Sequence, residues 1–186
     1  MVRLIVGLGN PGQQYEKTRH NVGFLLLDYL LGSAGNWTVE PRFNGVLAKH
    51  SSGILLLKPT AYMNNSGMSV FKVAKFYKIE PEEILVVHDE LDFQVGIVKL
   101  KFDGGHAGHN GIRDIIANLG SRKFYRLRIG IGRPVAGYSV AQYVLSGFSR
   151  VDSDIIVNVF EMLETYMLSI ADGDIAFVMN ELNKKV

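Results

Sequence analysis

Short apolar runs that stop at glycine, proline or polar residues recur along the chain and predict buried β-strands. The first, Arg3 to Leu8, runs into the turn-forming sequence GLGNPG. The second, Ile84 to Val87, gives way abruptly to the polar sequence HDELD. Two further segments, Ile97 to Phe102 and Tyr125 to Ile131, alternate apolar and basic residues. That alternation is typical of strands with one face exposed.

Longer segments have the apolar spacing of amphipathic helices. Between Ser66 and Tyr77, the residues Val70, Val73 and Ala74 recur with Tyr77 at helical intervals, and lysines occupy other positions. The other predicted helices run from Asn21 to Leu31, from His109 to Leu119, from Ser139 to Leu145 and from Ile155 to Ile170. The last of these has one apolar face, made of Ile156, Val159, Phe160, Leu163 and Met167.

The order of these elements predicts an α/β fold, a single-domain three-layer sandwich with a mixed, largely parallel central sheet flanked by helices. Strands that alternate with helices favour parallel pairing. Gly45 to His50 and Ile54 to Lys58 flank Ser51-Ser52-Gly53, which predicts an antiparallel hairpin. The chain has 186 residues, 47% of them hydrophobic and 20% charged, as one globular domain would. We therefore expect residues 1–186 to form one domain.

Charge is distributed unevenly although the net charge is only +2. From Lys99 to Arg133 there are eight basic residues against two acids, a local balance of +6. From Val151 onward there are seven acids against two lysines, a balance of −5. The basic segment is suited to attract a polyanion, and the acidic one is not.

Cysteine is absent, which excludes disulfides, thiol nucleophiles and thiolate metal sites. No segment approaches the ~18 consecutive apolar residues that a membrane-spanning helix needs. We expect a soluble, cytoplasmic protein with no membrane partner.

The sequence GLGNPG fits the GxGxxG spacing of dinucleotide-binding loops, with Gly7, Gly9 and Gly12 in the glycine positions. Such a loop requires a helix that starts at the glycines and an acid at the end of the second strand. Here a turn and the polar stretch QQYEKTR separate the glycines from the helix, and Asp28 lies inside the helix. A tight turn at the end of the first strand is the better interpretation.

Polar clusters stand at predicted strand ends or in turns, where an open α/β sheet binds its ligands. They are GLGNPG with TRHN downstream, YMNNSG, HDELD and GGHAGHNG. Asp89, at the end of its strand, is placed to accept a proton from an imidazole and fix its tautomer. His20 precedes a helix with its ring free. The alternatives are a surface or capping role for His20 and a solvated turn for Asp89.

A metal site is a second interpretation of the same clusters. His106 and His109 have HxxH spacing, and further ligands are available in His88, Asp89, Glu90 and Asp92. The helical His pair with an intervening glutamate that zinc proteases use is absent. Alternatively, the glycines allow close backbone approach, and His109-Asn110 caps the following helix.

Asparagines recur in these clusters, at Asn10, Asn21, Asn64, Asn65 and Asn110. A side-chain amide both donates and accepts hydrogen bonds without adding charge, which suits recognition of carbonyl groups and stabilisation of an oxyanion. Ordinary turn chemistry is the alternative for each asparagine taken singly. Together, beside His20 and Asp89, they indicate hydrolysis of a neutral acyl group.

The chain resembles the bacterial-type peptidyl-tRNA hydrolases. The sequences that carry the resemblance, in order and spacing, are GLGNPG, TRHNVG, KPTAYMNNSG, HDELD, GGHAGHNG and RLRIGIGRP, from about Leu4 to beyond Phe148. The resemblance implies hydrolysis of the ester between a peptide and the 3′ ribose of tRNA, which recycles the tRNA for translation. Its expected partner is therefore peptidyl-tRNA, held by its acceptor stem and 3′ end.

The resemblance also implies roles for individual residues. His20 is expected to be the catalytic base and Asp89 its partner. Lys101 and Arg128, both in the basic segment, are expected to bind tRNA phosphates. The residues expected to bind substrate are Asn10, Tyr15, Asn21, Tyr62, Asn64, His109 and Asn110.

An ester has a good leaving group, so a base acting on water suffices, and we expect no metal, no cofactor and a monomeric enzyme. Two alternatives stay open on the residues alone. One is a metal-dependent amidohydrolase or peptidase that uses the His/Asp cluster. The other is a noncatalytic nucleotide- or RNA-binding module.

Overall fold

The computed structural model describes residues 1–184 and has a seven-stranded sheet at its centre. The strands are β1 (Leu4–Gly7), β2 (Thr38–Glu40), β3 (Gly45–Lys49), β4 (Leu55–Pro59), β5 (Ile84–Glu90), β6 (Val98–Phe102) and β7 (Tyr125–Gly130). Their order across the sheet is β2-β3-β4-β1-β5-β7-β6. The four central strands, β4, β1, β5 and β7, are parallel to one another, and the outer pairs β2/β3, β3/β4 and β6/β7 are antiparallel. The predicted mixed sheet and the hairpin are confirmed.

Seven helices lie among the strands of residues 1–184. They are α1 (Val22–Leu31), α2 (Ser66–Tyr77), α3 (Asn110–Leu119), α4 (Val140–Val144), α5 (Arg150–Thr165), α6 (Met167–Ala171) and α7 (Ile175–Lys184). Single 3₁₀ turns are found at Gln13–Tyr15, Arg19–Asn21, Pro41–Phe43, Met63–Asn65 and Pro81–Glu83. Two of these turns, at 19–21 and 63–65, directly precede α1 and α2 and carry polar residues of the clusters described above.

Apolar side chains of the central strands alternate between two cores, one on each face of the sheet. Ile5 and Leu85 belong to the core that also contains residues of α1, α5, α6 and α7. Leu4 and Val6 belong to the core that contains residues of α2 and α3. Every residue of β1 and β5 is buried, because helices cover both faces. The result is the predicted three-layer α/β sandwich.

Strand β5 is longer than its apolar run predicts. It continues through His88, Asp89 and Glu90, all of them buried. The extension forms because β5 pairs in parallel with β7 through Glu90, with His88 opposite Arg128. The alternative of a solvated turn for Asp89 is therefore wrong, since Asp89 is buried and belongs to the sheet.

The C-terminal helices also depart from the predicted pattern. Helix α5 begins at Arg150, five residues before the predicted start, because the Ser149 side chain accepts a hydrogen bond from the Asp152 backbone amide and caps it. It ends at Thr165, and α6 follows as a separate turn of helix. The predicted apolar face is confirmed, since all five of its members are buried. The apolar pattern had predicted neither α7 nor the short strand β2.

Two glycines allow α1 to contact the end of β1. A Cβ atom on Gly23 would lie 2.4 Å from the Leu8 amide nitrogen and 2.5 Å from the Val87 carbonyl oxygen. A Cβ on Gly7 would lie 2.5 Å from the Gly23 carbonyl oxygen. Real Cβ atoms do not approach backbone so closely. This contact sets the position of the chain that enters α1, including His20 and Asn21.

Candidate active site

Polar residues converge on a cavity of about 630 Å³ at the carboxyl ends of the parallel strands. Ligands of open α/β sheets bind at this edge. The cavity is lined by seven of the residues predicted from sequence, namely Asn10, His20, Asp89, Lys101, His109, Asn110 and Arg128. Tyr15, Asn21, Tyr62 and Asn64 do not line it.

His20 and Asp89 form a hydrogen-bonded pair. The His20 Nδ1 atom lies 2.9 Å from Asp89 Oδ1 and 3.0 Å from Oδ2. An ionised carboxylate only accepts hydrogen bonds, so Nδ1 carries the proton and donates it. The other ring nitrogen, Nε2, then keeps its lone pair and has no hydrogen-bond partner within residues 1–184. His20 therefore presents a free basic nitrogen, since its side chain is 16% exposed and lines the cavity.

His109 donates a second hydrogen bond to the same carboxylate, with its Nε2 2.9 Å from Asp89 Oδ1. Its Nδ1 accepts the Ile112 backbone amide at 3.3 Å, so His109 is the N-cap of α3. Because a neutral imidazole has one acceptor nitrogen, this cap places the proton on Nε2. The capping role weighed for His109 in the sequence is confirmed, and it coexists with contact to Asp89.

Asp89 is the buried centre of this cluster, with 4% of its surface exposed. Burial alone would raise the pKa of its carboxyl group. Electrostatic interaction and hydrogen bonds with His109 and His20 outweigh burial and hold the pKa well below its usual value. Asp89 is therefore a carboxylate at any pH at which the histidines donate to it.

His88 precedes Asp89 in β5 and is also buried. Burial, reinforced by the neighbouring His109, lowers the pKa of His88 to about 3. The His88 Nδ1 atom lies 2.7 Å from the Asp89 carbonyl oxygen, to which it donates. The Nε2 atom is buried without a hydrogen-bond partner in the described residues. His88 is thus a neutral histidine, and sequence reasoning assigned it no role except as a metal ligand.

Asn10 forms three hydrogen bonds with neighbouring residues. Its backbone amide donates to Asn21 Oδ1 at 2.9 Å, and its carbonyl accepts from Asn21 Nδ2 at 2.9 Å. Its side-chain Oδ1 accepts the Met63 backbone amide at 2.8 Å. The remaining amide group, Nδ2, is left without a protein partner in residues 1–184, and Asn10 lines the cavity. The turn thus presents one hydrogen-bond donor.

Asn21 is placed differently from Asn10. It is only 1% exposed, and its amide is engaged by the backbone of Asn10. In the structure Asn21 therefore contacts Asn10 and does not line the cavity. Its influence on the site passes through Asn10. No signal in the sequence separates Asn10 from Asn21, because both lie in polar clusters.

Asn64, Tyr62 and Tyr15 lie beside the cavity rather than in it. Asn64 is exposed in the 63–65 turn, next to the Met63 amide that binds Asn10. Tyr62 is 57% exposed, and its ring meets the Tyr15 ring edge to face with centroids 6.4 Å apart. Asn110 is the exposed first residue of α3 and lines the cavity itself.

The two residues predicted to bind phosphate differ in their surroundings. Lys101 is exposed at the cavity. Arg128 donates to Glu90 Oε2 from Nε at 3.0 Å and from Nη2 at 2.8 Å, and its guanidinium lies 4.5 Å from the Phe93 ring centroid. Glu90 therefore holds Arg128 in a fixed orientation. Sequence reasoning considered Glu90 as a metal ligand and missed its contact with Arg128.

Arg19, beside His20, is a further residue that sequence reasoning missed. It is 8% exposed and its guanidinium lies between the rings of Tyr143 and Phe148, 4.5 and 5.4 Å from their centroids. It donates to Ser146 Oγ at 2.7 Å and to the Gly147 carbonyl. Arg19 thus fastens the His20 turn to the segment after α4. An arginine in TRHN gives no sign of this inward orientation.

Metal-ligand geometry within residues 1–184 differs from the HxxH hypothesis. His20, Asp89 and His109 are the group found, with ligand atoms within 4.8 Å of one another. His106 is exposed, and its Nδ1 accepts the Gly108 backbone amide at 3.1 Å. The set of His106 and His109 with Glu90 or Asp92 is not brought together.

A mixed α/β sheet with a histidine–aspartate pair in a cavity at its carboxyl edge is an arrangement suited to the class of hydrolytic enzymes. A family model described as Peptidyl-tRNA hydrolase matches residues 4–186. The chain belongs to the peptidyl-tRNA hydrolase family.

Individual relatives agree with this assignment. The chain is 50% identical to a peptidyl-tRNA hydrolase of Methylococcus capsulatus, over 98% of this chain and 100% of the relative. It is 48% identical to one of Nitrosomonas europaea, over 99% and 96%. A crystal structure of peptidyl-tRNA hydrolase from Acinetobacter baumannii matches with a TM-score of 0.92 at 39% identity, covering 98% of this chain and 94% of that one.

None of the helices within residues 1–184 combines the length and the apolar character needed to cross a bilayer.

Proposed function

We propose that this protein hydrolyses the ester between peptide and tRNA in peptidyl-tRNA, with His20 as general base on water and Asp89 as the residue that orients it. One observation carries the assignment of the base. The Nδ1–H of His20 is held by a buried carboxylate, so the basic Nε2 atom is the one left for water. His109, in contrast, uses both ring nitrogens in bonds to the protein.

The steps follow from this arrangement. Water attacks the ester carbonyl carbon while His20 Nε2 takes its proton, and Asp89 stabilises the imidazolium that forms. The tetrahedral intermediate then loses the 3′ oxygen of the ribose as the ester C–O bond breaks. The imidazolium returns its proton to that oxygen, which leaves a free peptide acid, a free tRNA and His20 neutral again.

The amide of Asn10 is proposed to donate to the substrate in this reaction. Its Nδ2 group lines the cavity, and the rest of the residue is fixed by Asn21 and Met63. A fixed donor stabilises a developing oxyanion better than a mobile one, because it needs no reorganisation. We assign Asn110 and Asn64 to contacts with the peptide or the terminal ribose, with Tyr15 and Tyr62 beside them.

Phosphate binding is proposed for Lys101 and Arg128. Both line the cavity that contains His20, so a phosphate held there lies close to the ester. Such contacts position the substrate without reading its sequence. Val140, Val144 and Leu145 form an apolar part of the same cavity, a surface suited to substrate groups other than phosphate.

Two finer expectations belong to this proposal. Because tRNA is used in translation, we place the enzyme in the cytoplasm. We also propose that it acts as a monomer of one domain, since His20, Asp89, Asn10 and Asn110 all come from one chain. Light scattering coupled to size-exclusion chromatography tests the monomer, and a mass of about twice 20.7 kDa would contradict it.

The deciding experiment offers the enzyme N-acyl-aminoacyl-tRNA and free aminoacyl-tRNA and measures tRNA release from each. Selective cleavage of the first is expected, because the asparagines require a peptide-like amide. With His20→Ala, turnover should fall at least about 10³-fold while tRNA affinity stays nearly unchanged. His50→Gln, in the β3–β4 hairpin, is the matched control. Turnover by His20→Ala close to the wild-type rate would refute the assignment of the base.

A further inference from the structure

The histidines around Asp89 form a cluster of three ligand-type side chains. His20 Nδ1 and His109 Nε2 each lie 2.9 Å from Asp89 Oδ1, and the three ligand atoms lie within 4.8 Å of one another. They come from the turn before α1, from β5 and from the N-cap of α3. The proposed reaction uses His20 Nε2 and leaves this inner side of the cluster occupied only by protons.

The inner side also has the composition of a zinc site. Two imidazole nitrogens with one carboxylate oxygen are among the ligand sets that bind Zn²⁺, with the fourth position left to water. Tetrahedral ligands about 2.0–2.1 Å from zinc are about 3.3 Å apart. The observed N–O separations of 2.9 Å are a few tenths of an ångström shorter, and all three ligand atoms lie within 4.8 Å of one another. Rotation of the His20 and His109 side chains would bring the two nitrogens to the spacing that the ion needs.

We propose that a divalent transition metal ion, with Zn²⁺ as the best fit, binds His20 Nδ1, Asp89 and His109 Nε2 and inhibits the enzyme. The inhibitory part of this inference rests on the proposed function of His20. The binding part does not, because it depends only on the three ligands.

Inhibition follows from the position of one proton. When the metal takes the lone pair at His20 Nδ1, the proton of the neutral imidazole must reside on Nε2. Nε2 then donates a hydrogen bond and is unable to accept a proton from water. The exchange is a change of tautomer, so His20 needs neither gain nor lose a proton. A bound metal therefore prevents His20 from acting as the base without contacting the substrate.

The N-cap of α3 limits the affinity. Coordination by His109 Nε2 moves its proton to Nδ1, which now accepts the Ile112 amide at 3.3 Å. Two N–H groups would then face each other, and the cap would be lost. Metal binding therefore competes with a protein hydrogen bond, and we expect reversible binding that EDTA removes. Removal of this metal should therefore restore activity, whereas removal of a resident catalytic metal abolishes it.

The binding test uses Co²⁺, which gives visible absorption when its ligands are tetrahedral, and the full-length protein without substrate. We expect the bands to appear on titration of wild type and to be displaced by Zn²⁺. Asp89→Asn and His109→Gln should each weaken Co²⁺ binding at least tenfold. His106→Gln and His50→Gln are matched controls, because both remove a histidine outside the cluster, and they should bind like wild type.

Circular dichroism and thermal melting check that each variant is folded, and His109→Gln replaces Asp89→Asn if the latter is not. Absence of visible bands in wild type would overturn the proposal. So would bands that survive both cluster substitutions, or bands that disappear in His106→Gln, which would place the ion at the HxxH pair.

The inhibition test measures hydrolysis of N-acyl-aminoacyl-tRNA with Zn²⁺ and then with EDTA. Zn²⁺ should inhibit wild type, and EDTA should restore the original rate. Mg²⁺ at the same concentration is the control for binding to tRNA, because it prefers oxygen ligands. Activity that EDTA abolishes and Zn²⁺ restores would contradict inhibition. If Co²⁺ binds as expected but no peptidyl-tRNA analogue is cleaved, the proposed function fails while the metal site stands.

Discussion

His20 and His109 contact the same carboxylate, yet only His20 keeps a ring nitrogen free of hydrogen bonds to the protein. His20 uses Nδ1 and keeps Nε2 available, whereas His109 uses Nε2 on Asp89 and Nδ1 on the Ile112 amide. The same type of side chain therefore presents a free nitrogen in one place and is a fixed donor in the other. The difference arises from the backbone amide at the start of α3, not from the carboxylate.

The asparagines of the site differ in burial, since some are buried and others are exposed. Asn21→Ala should lower the free energy of unfolding by about 2 kcal/mol, because it leaves the Asn10 amide and carbonyl without their partners. Asn64→Ala should change stability by less than about 0.5 kcal/mol, because the residue is exposed. Urea denaturation at pH 7 measures both. Equal losses of stability in Asn21→Ala and Asn64→Ala would contradict a structural role for Asn21 alone.

Secondary-structure elements meet at the site through a few side chains rather than through a broad interface. Arg19 joins the turn before α1 to the segment between α4 and α5 by contacts with Ser146 and Gly147, and to α5 itself by a contact with Asp152. The backbone follows the same path, since Thr18 forms an isolated bridge with Gly147 and the Arg19 amide donates to the Ser146 carbonyl at 3.0 Å. The position of His20 therefore depends on residues more than 120 positions away.

Substitution of this arginine tests the connection. Arg19→Lys should lower the free energy of unfolding by about 2 kcal/mol, because a lysine keeps the charge but loses the planar group held between Tyr143 and Phe148. Asp152→Asn should cost less than about 1 kcal/mol, since that ion pair is 3.4 Å long and partly exposed. Thermal and urea unfolding measure both. A larger loss of unfolding free energy in Asp152→Asn than in Arg19→Lys would show that the ion pair, not the planar guanidinium group, holds residues 146–147 against the turn before α1.

Apolar periodicity predicted most elements because burial on one face leaves a period in the sequence. It failed where other forces decide. Polar His88–Glu90 stay in β5 because β7 pairs with them, and the capping serine at 149 starts α5 before its apolar face begins. The three residues of β2 are mostly exposed and carry no pattern. Ile175, Val178 and Leu182 do have helical spacing and are buried, so α7 was available to the same reasoning.

Site residues were predictable to a different degree. Histidine, aspartate and asparagine at strand ends indicated the cavity, because polar clusters interrupt apolar runs there. Their orientations were not predictable. Whether Asn21 contacts substrate or Asn10, and whether Arg128 is free or paired with Glu90, depends on packing between segments distant in sequence. Local sequence carries no information about such contacts.

The whole molecule holds buried ionisable groups whose protonation links folding to pH. His88 has a pKa of about 3 in the folded protein against 6.5 as an unperturbed histidine, chiefly because it is buried. Below pH 6.5 His88 becomes protonated in the unfolded chain but stays neutral in the folded chain. The free energy of unfolding therefore decreases as the pH falls towards 3. Asp89, whose pKa is lowered, contributes stability that is lost only at more acidic pH.

A titration of stability tests this linkage. Between pH 6.5 and pH 4.5 the wild-type protein should lose about 2 kcal/mol more stability than His88→Gln, which has no titrating group at this position. Urea unfolding at several pH values measures the difference. Parallel pH profiles for the two proteins would mean that His88 is already protonated in the folded state.

Charge segregation at the scale of the molecule predicts how salt affects the reaction. Arg128→Ala should raise KM, keep most of kcat, and reduce the slope of log affinity against log salt by about 1. Arg3→Ala is the matched control, because Arg3 adjoins the opposite end of β1 and pairs with Glu83. Steady-state kinetics at several salt concentrations measures both. An unaltered slope for Arg128→Ala would remove this residue from the phosphate contacts.

The contact between α1 and the end of β1 has a consequence for how the sequence is able to vary. Gly23 has no side chain and no chemistry, yet a single methyl group there would strike the Leu8 and Val87 backbone. The helix would have to retreat and carry the residues before it away from Asp89. Position 23 therefore has no room for a side chain, and glycine there is a requirement of backbone packing alone.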